Sequence, residues 1–373
     1  MLLALFAFVP FCLAHAVPMK PSSGCIDFAL PLNFVAQSLQ PSFPPFENHY
    51  QAVDFLVNIT SRDPRAQQAL VKGFNPDAQV NVTIAAKYCS PKGPAKNVTQ
   101  ILTHGVGYDQ RYWSFGGPDS QYNYIKAANE AGYATLSYDR IGNGQSTKLD
   151  PYTITQVPIE VEVLRLLTER FAQGDITALK HISPFQKIVH VGHSFGSIVA
   201  NLLVAKYPTV SDGLVQTGFS KNASAGLLVA ANAHLAKENI PGWGKLSSSA
   251  GYLTWGDQLA NQYAFFHYGA FDPKVLAESE KIKQPTGVGE ILTVGSWEAK
   301  DFTKPVLLFD GEYDQAACES YCTSKFLEQT APLFPAAKPF EIYIQPDTGH
   351  GMNLHYNATG AYEVIQDWIG KNI

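Results

Sequence analysis

Residues 188–208 constrain the fold of this chain more than any other stretch. A short β-branched run meets the pentapeptide Gly-His-Ser-Phe-Gly at 192–196, and an apolar helical stretch then continues as far as Pro208. The two glycines leave no side chains to collide with the neighbouring strand and helix. The pattern predicts a strand, a sharp turn and a helix, with the hydroxyl of Ser194 projecting above the edge of a sheet.

Strand and helix patterns alternate along the chain around this turn. Residues 79–88 alternate apolar and polar side chains, as a half-exposed antiparallel strand does. Helices are predicted at 121–131, closed by Gly132, and over 157–171, where apolar residues share one face. This alternation predicts a largely parallel sheet with helices on both faces. The predicted strands are 49–60, 79–88, 97–103, 134–138, 188–191, 213–218, 305–309 and 340–344.

The strand and helix pattern is interrupted over residues 219–304, which are rich in alanine, glycine and aromatic residues. Because the sheet pattern resumes directly afterwards, we interpret this segment as a cap inserted between two strands of one sheet. The core is then predicted to comprise residues 49–218 and 305–373. Residues 17–48 are rich in proline and serine, so they are predicted to form an ordered or semi-ordered N-terminal arm rather than a regular element.

Residues 1–16 have the pattern of a secretory signal peptide. An apolar run that is too short to span a bilayer comfortably is followed by the small-residue cleavage pattern Ala14-His15-Ala16. An uncleaved anchor is the alternative. The chain has no second long apolar run, and its formal net charge of −5 includes no basic stripe. We therefore expect a secreted, extracellular protein with no stable membrane span and no nucleic-acid partner.

Five Asn-X-Ser/Thr sequences agree with secretion through a eukaryotic pathway. Each match is weak alone, but five of them behind a signal peptide predict N-glycosylation. The candidate asparagines are Asn58, Asn81, Asn97, Asn222 and Asn357.

Four cysteines remain once Cys12 is removed with the signal peptide, which predicts two disulfides with three possible pairings. Cys318 and Cys322 are four residues apart and, on one helical turn, fall within bridging distance. That pair would leave Cys25 with Cys89, tying the N-terminal arm to the second predicted strand. A metal site is the alternative, but the spacing of cysteine and histidine does not suit zinc, so no metal is predicted.

A serine hydroxyl needs a base within hydrogen-bond reach, and that base needs an orienting carboxylate. His350 is the predicted base, because it lies between two glycines in a loop directly after the strand at 340–344. His355 is the competing candidate. His193 directly precedes Ser194, so its side chain is expected to point away from the nucleophile and to be structural.

The carboxylate partner is expected in the loop after the strand at 305–309. Asp314 is preferred over Asp310 and Glu312, since Asp310 lies at the strand end, where its carboxylate can serve the turn instead. Asp347 would require its own loop to fold back. The preferred acid and base both follow the C-terminal ends of parallel strands, where a doubly wound sheet places its active site.

Two backbone N–H groups must stabilise the anion that forms when Ser194 attacks a carbonyl. One is assigned to Phe195, directly after the serine. The other is assigned to the loop after the third predicted strand, to Val106 first and to Gly107 second, because Gly105 lets this backbone approach closely.

Five motifs follow one another along the chain: His104-Gly105-Val106-Gly107, Asp139-Arg140-x-Gly142-x-Gly144-x-Ser146, Gly192-x-Ser194-x-Gly196, Gly311-x-x-Asp314 and Gly349-His350. Over residues 50–370 the arrangement resembles the α/β-hydrolase superfamily. The resemblance implies an eight-stranded, mostly parallel sheet with helices on both faces and a helical cap inserted after the sixth strand. Ile141 departs from the commonest family form, which has arginine just before the first glycine of that loop. Within the superfamily the chain is similar to secreted, capped hydrolases of fungal type.

The predicted activity is hydrolysis of a carboxylic ester through an acyl-enzyme, without a cofactor. Aromatic residues in the cap suggest an apolar acyl or ring-bearing substrate, a small-molecule ester or a lipid-like molecule. Serine at the sharp turn argues against epoxide hydrolases and haloalkane dehalogenases, which resemble this fold but need a carboxylate there. A serine peptidase and an acyltransferase use the same groups and are alternatives, as is a non-catalytic binding module built on this fold.

Overall fold

A computed structural model describes residues 24–91, 93–182, 187–222 and 234–373 of the chain. The strands within these ranges are β1 Cys25–Pro41, β2 Val71–Cys89, β3 Val98–Thr103, β4 Ala134–Tyr138, β5 Lys187–His193, β6 Gly213–Thr217, β7 His234–Leu235, β8 Tyr252–Thr254, β9 Thr286–Gly287, β10 Val306–Gly311 and β11 Phe340–Gln345. The predicted signal peptide at 1–16 lies outside the described residues.

Eight of these strands form one sheet in the order β1-β2-β4-β3-β5-β6-β10-β11. The run from β4 to β11 is parallel throughout, whereas β2 pairs antiparallel with both β1 and β4. This confirms the predicted eight-stranded, mostly parallel sheet. Because β3, β5, β10 and β11 are parallel, their carboxyl ends meet along one edge.

Helices cover both faces of the large sheet. Among the described residues they are α1 His49–Ile59, α2 Pro64–Ala69, α3 Tyr124–Glu130, α4 Val157–Ala172, α5 Phe195–Lys206, α6 Ala236–Asn239, α7 Trp243–Leu246, α8 Gln258–Phe265, α9 Pro273–Lys281, α10 Val288–Thr293, α11 Gln315–Cys318, α12 Ser324–Leu327 and α13 Ala358–Asn372. Neighbouring residues of β3 point to opposite sides of the sheet, so that Ile101 packs with helices α4 and α5 and Leu102 with helices α3 and α13.

The N-terminal arm differs from the prediction, because Cys25–Pro41 is a long strand at the edge of the sheet. Its burial alternates, with Leu30 and Leu32 facing the core. Pro31 lies within the strand, which an edge position tolerates because one side of the backbone has no partner strand. The prolines that suggested an irregular arm therefore mark the edge of the sheet and the end of β1.

The predicted strand at 49–60 is wrong, because His49–Ile59 is a helix. Asn48 caps its N-terminus, and its side-chain oxygen accepts a hydrogen bond from the Gln51 N–H. The buried residues Ala52, Phe55 and Leu56 recur at helical spacing. Their apolar neighbours on the exposed side hid this period in the sequence.

The part of the chain that the structure describes contains two disulfides. Cys25 and Cys89 face each other across the β1–β2 pair, with their Cα atoms 4.1 Å apart. Cys318 and Cys322 close a short loop after α11, with their Cα atoms 5.0 Å apart. The first ties the edge strand to the sheet, and the second fixes a loop beside the candidate site.

The segment between β6 and β10, which we call the insertion (residues 219–304), is not purely helical. Its described part contains a three-stranded sheet in the order β7-β8-β9, together with helices α6 to α10. Strands of two or three residues are too short to show alternation in a sequence. Phe55 of α1 packs in one apolar cluster with Leu235, Leu253 and Val288, so the N-terminal helix and the insertion share a core.

Candidate active site

The turn between β5 and α5 holds Ser194 in an unusual conformation, with φ 53° and ψ −118°. A Cβ atom on Gly192 would lie 2.6 Å from the Cα of Ser197, and one on Gly196 would lie 2.1 Å from the carbonyl oxygen of Thr103. Both positions therefore require glycine. The structure thus has the strand, sharp turn and helix that the sequence predicts.

The Ser194 hydroxyl lies 2.8 Å from Nε2 of His350. Ser194 follows β5, whereas His350 lies in the loop after β11, 156 residues later in the chain. Both residues are buried, with 7% and 2% of their surfaces exposed. The parallel sheet brings them together because these two strands end at the same edge.

Asp314 lies on the other side of the same imidazole, with Oδ2 2.8 Å from Nδ1 of His350. Its second oxygen, Oδ1, accepts hydrogen bonds from the N–H groups of Ala316 and Ala317 at 2.9 and 2.7 Å, because Asp314 caps the N-terminus of α11. The carboxylate is fully buried. Its orientation is therefore fixed by the backbone of the helix that it caps.

The other candidate acids have different partners. Asp310 Oδ1 accepts the N–H of Phe219 at 2.8 Å, as expected for a carboxylate that serves the turn. The Glu312 carboxylate accepts the backbone N–H of Asp347 at 3.1 Å. Only Asp314 among the four candidates contacts His350 in the described part of the chain.

His355, the competing base, holds the loop that carries His350. Its Nε2 accepts the N–H groups of both Gly349 and His267, at 3.1 and 3.0 Å, and its Nδ1 donates to the carbonyl of Gly351. Burial lowers the pKa of His355 to about 4, so the ring is neutral and this donor and acceptor pattern is maintained. The sequence did not predict this bracing role.

His193 lies beside the imidazole of His350, with the two ring centroids 5.0 Å apart. Its other face stacks on Tyr112 at 4.5 Å, and its Nδ1 is 3.1 Å from the hydroxyl of Thr217. Burial and the neighbouring His350 lower the pKa of His193 well below its usual range. The ring is therefore a neutral wall of the site, in a position that the sequence did not predict.

The loop after β3 approaches the serine very closely. A Cβ atom on Gly105 would lie 2.9 Å from the Cβ of Ser194, so only glycine fits there. Val106 follows Gly105, and Phe195 opens α5. Within the described ranges, neither the Val106 N–H nor the Phe195 N–H donates to a protein acceptor, which leaves both donors free for a ligand.

Trp255 of the insertion lies directly on the same loop. Gly107 has φ +76°, and a Cβ atom there would lie 1.9 Å from the Trp255 ring. The Gly107 carbonyl accepts the N–H of Gln284 at 2.9 Å, and Trp255 Nε1 donates to Glu280 at 2.7 Å. The insertion is therefore packed and hydrogen-bonded against the loop that carries Val106.

An open cleft of about 440 Å³ reaches His350 from the surface. Its walls are mostly aromatic, and His267 and Tyr313 stack there with their centroids 3.8 Å apart. Tyr321, which lies in the loop closed by the second disulfide, forms part of the wall and is 54% exposed. The cleft thus joins aromatic and polar side chains next to the buried imidazole.

The described residues contain no group of three or more histidine, cysteine, aspartate or glutamate side chains placed to hold a metal ion. None of the helices in the described ranges has the length and apolar character needed to cross a membrane.

The sequence matches the alpha/beta hydrolase family over residues 100–360. Because this match covers more than half of the chain, the protein belongs to the alpha/beta hydrolase family. No curated protein is similar enough in sequence to match the chain.

Solved structures with a similar fold include esterases and lipases. A thermophilic esterase from Thermogutta terrifontis is 17% identical, with a TM-score of 0.53 over 78% of this chain and 94% of that one. A soluble variant of monoglyceride lipase from Saccharomyces cerevisiae is 13% identical, with a TM-score of 0.54 over 78% and 92% of the two chains. At these identities the likeness shows the fold alone.

Proposed function

We propose that this protein hydrolyses carboxylic esters through an acyl-enzyme, with Ser194 as nucleophile, His350 as general base and Asp314 as the orienting acid. The observation that carries the proposal is the pair of 2.8 Å contacts that the imidazole makes, with the serine hydroxyl on one side and the buried carboxylate on the other. This geometry is what activation of a serine hydroxyl requires.

In the first half of the reaction, Ser194 Oγ attacks the ester carbonyl carbon while its proton passes to Nε2 of His350. The carbonyl oxygen becomes an oxyanion, which accepts hydrogen bonds from the N–H groups of Phe195 and Val106, with Gly107 as the second candidate for the latter. The oxyanion then collapses, the bond to the alcohol breaks, and the alcohol leaves with the proton from Nε2. Asp314 stabilises the transient imidazolium.

In the second half, a water molecule attacks the acyl-enzyme while His350 accepts one of its protons. The new oxyanion occupies the same pair of N–H groups, and its collapse releases the carboxylic acid and returns the proton to Ser194. The chemistry consumes one water and needs no redox partner.

The cleft beside His350 supports an apolar or ring-bearing substrate. Its walls include Tyr263, Phe266 and the stacked pair of His267 and Tyr313, which offer flat apolar surfaces. We further propose that the insertion acts as the cap of this site, since it supplies three of these four residues and also covers Gly107 through Trp255.

A fluorophosphonate probe tests the nucleophile directly. The purified protein should be labelled at Ser194, and Ser194→Ala should abolish labelling without changing the thermal unfolding temperature. Hydrolysis of p-nitrophenyl esters of increasing chain length then separates a short-chain esterase from a lipase. If the folded protein neither reacts with the probe nor hydrolyses any ester, the result would favour a non-catalytic binding module.

The alternative acyl-transfer activities use the same groups, so products decide between them. Peptide substrates offered alongside esters test for a peptidase. An added alcohol that captures the acyl group in preference to water would identify an acyltransferase.

We also propose that the protein is secreted. Two disulfides favour an oxidising compartment, and the signal pattern at 1–16 and the five glycosylation sequences agree with it. Expression in a eukaryotic host, with the medium and the cell fraction compared, tests this directly.

A further inference from the structure

Arg140 lies fully buried between two buried glutamates that come from different parts of the fold. Its Nη1 contacts both oxygens of Glu160 on α4, at 2.8 and 3.0 Å. The same nitrogen contacts Glu290 on α10, a helix of the insertion. The side chains of Arg140, Glu160 and Glu290 are 0%, 2% and 1% exposed. The cluster therefore joins the core and the insertion through one cation.

Stability alone does not explain this cluster. Burying charged groups costs several kcal/mol for each ion, and apolar side chains of similar volume often serve as well. Burial raises the pKa of Glu160 well above its usual range. The charge of Arg140 acts against this shift, and Glu290 adds to it. The cluster therefore keeps ionisable groups in contact at a place where burial acts against their charged forms.

Arg140 also contacts both elements that carry the proposed oxyanion donors. The guanidinium carbon lies 4.5 Å from the centroid of the Phe195 ring. Its Nη2 lies 3.4 Å from the carbonyl oxygen of Gly105, the residue before Val106. One side chain thus touches Phe195 and the neighbour of Val106.

The backbone of Arg140 adds a third contact to the same loop. Its N–H donates to Nε2 of His104 at 3.0 Å, and His104 Nδ1 donates to the carbonyl of Gly105 at 2.9 Å. Burial and the charge of Arg140 lower the pKa of His104 well below its usual range, which keeps this ring neutral. The turn at Gly105 is therefore held by the side chain of Arg140 and, through His104, by its backbone.

We propose that Arg140 is a positioning residue that sets the spacing of the Phe195 and Val106 N–H groups, and that Glu290 makes this spacing depend on docking of the insertion. The inference rests on the proposed function, since it concerns the donors of that oxyanion site. Such N–H donors stabilise an oxyanion when they lie about 2.7–3.1 Å from it. A small shift of either one therefore slows the reaction without emptying the site.

Arg140→Lys is the primary test, because lysine keeps the charge but lacks the planar guanidinium that stacks on the Phe195 ring and places a second nitrogen near the Gly105 carbonyl. We expect kcat to fall about tenfold or more, while KM changes by less than about threefold. The affinity of a trifluoromethyl ketone, which forms a tetrahedral adduct with the serine, should fall by the same factor as kcat/KM. A residue with a merely structural role would not produce this match.

Arg165→Lys is the matched control. Arg165 also pairs with two glutamates, Glu162 and Glu169, at 2.8 and 2.6 Å, and lies 5.3 Å from the ring of Tyr207. It lies on α4, and within the described ranges its side chain makes no hydrogen bond to the loop after β3. We expect Arg165→Lys to leave kcat and ketone affinity at the wild-type values.

If Arg140→Lys fails to fold, a triple variant without these charges tests whether Arg140 positions the donors. It combines Arg140→Met with Glu160→Gln and Glu290→Gln. Because no buried charge is left unpaired, it should unfold near the wild-type temperature and still lose kcat and ketone affinity together. Either variant with wild-type kcat, or with only a lower unfolding temperature, overturns the positioning role. Wild-type protein that neither hydrolyses esters nor binds the ketone overturns the proposed function, and this inference with it.

Discussion

Asp310 and Asp314 are near neighbours in the chain and both of their carboxyl groups are fully buried, yet of the two only Asp314 contacts the imidazole of His350. Asp310 accepts a hydrogen bond from the Phe219 N–H instead. Burial and the nearby charge of Asp314 raise the pKa of Asp310 well above its usual range. The two acids therefore differ in their partners, and Asp314 is the one placed to orient the imidazole.

This difference predicts a large loss of activity for one isosteric substitution and little change for the other. Asp314→Asn should lower kcat for ester hydrolysis by about 10³- to 10⁴-fold, because the amide N–H faces Nδ1 and selects the wrong tautomer of His350. Asp310→Asn keeps the side-chain oxygen that accepts the Phe219 N–H and leaves the contacts of His350 in place, so it should change kcat by less than about threefold. Steady-state kinetics on both variants provide the measurement. Equal losses in the two variants would contradict the assignment of the acid.

Buried His190 predicts part of the acid sensitivity of the fold. Burial lowers its pKa to about 3, between the hydroxyls of Thr168 and Ser211. Below about pH 6.5 the unfolded chain binds a proton there that the folded protein does not, so stability falls as the pH falls toward 3. In His190→Gln the unfolded chain cannot bind this proton. The free energy of unfolding of the variant, relative to that of the wild type, should therefore rise by about 1.4 kcal/mol for each pH unit below 6.

Urea unfolding at pH 7, 6 and 5 measures that slope, and His181→Gln is the control because His181 is exposed. A constant difference between His190→Gln and the wild type across this range would show that the folded protein binds the proton at His190 as readily as the unfolded chain.

The two disulfides should separate stability from substrate binding. Cys25 and Cys89 are 64 residues apart and Cys318 and Cys322 only 4 apart, so chain entropy predicts losses of about 4 and about 2 kcal/mol on their removal. Only the second loop lines the cleft, through Tyr321. Replacing both of its cysteines with serine should therefore raise KM, whereas the Cys25/Cys89 double serine variant should keep the wild-type KM. Chemical denaturation and ester kinetics on the two variants test both statements.

The sequence predicted which side chains meet at the candidate site better than it predicted the edge of the sheet, because those side chains lie in short local motifs. The turn at Ser194 and the loops of Asp314 and His350 are short motifs beside strands, and all lie where the parallel sheet requires. The edge strand β1 was missed because the segment is rich in proline and serine, although Pro41, Pro44 and Pro45 lie at or beyond the end of the strand and Pro31 is tolerated at the edge of the sheet. The contacts of Arg140 could not be found in this way, since Glu290 lies 150 residues away in the chain.

The five glycosylation sequences should differ in use, because their amide nitrogens have different surroundings. Asn81 and Asn97 are exposed, and no protein acceptor contacts their amides within the described ranges. The Asn357 amide instead donates to the Pro346 carbonyl and its oxygen accepts the Thr348 hydroxyl, which braces the loop leading to His350. We expect peptide mapping of secreted protein to find glycans at Asn81 and Asn97 and an unmodified Asn357. Asn357→Gln should accordingly lower kcat without changing the glycan mass, and full glycan occupancy at Asn357 would contradict this brace.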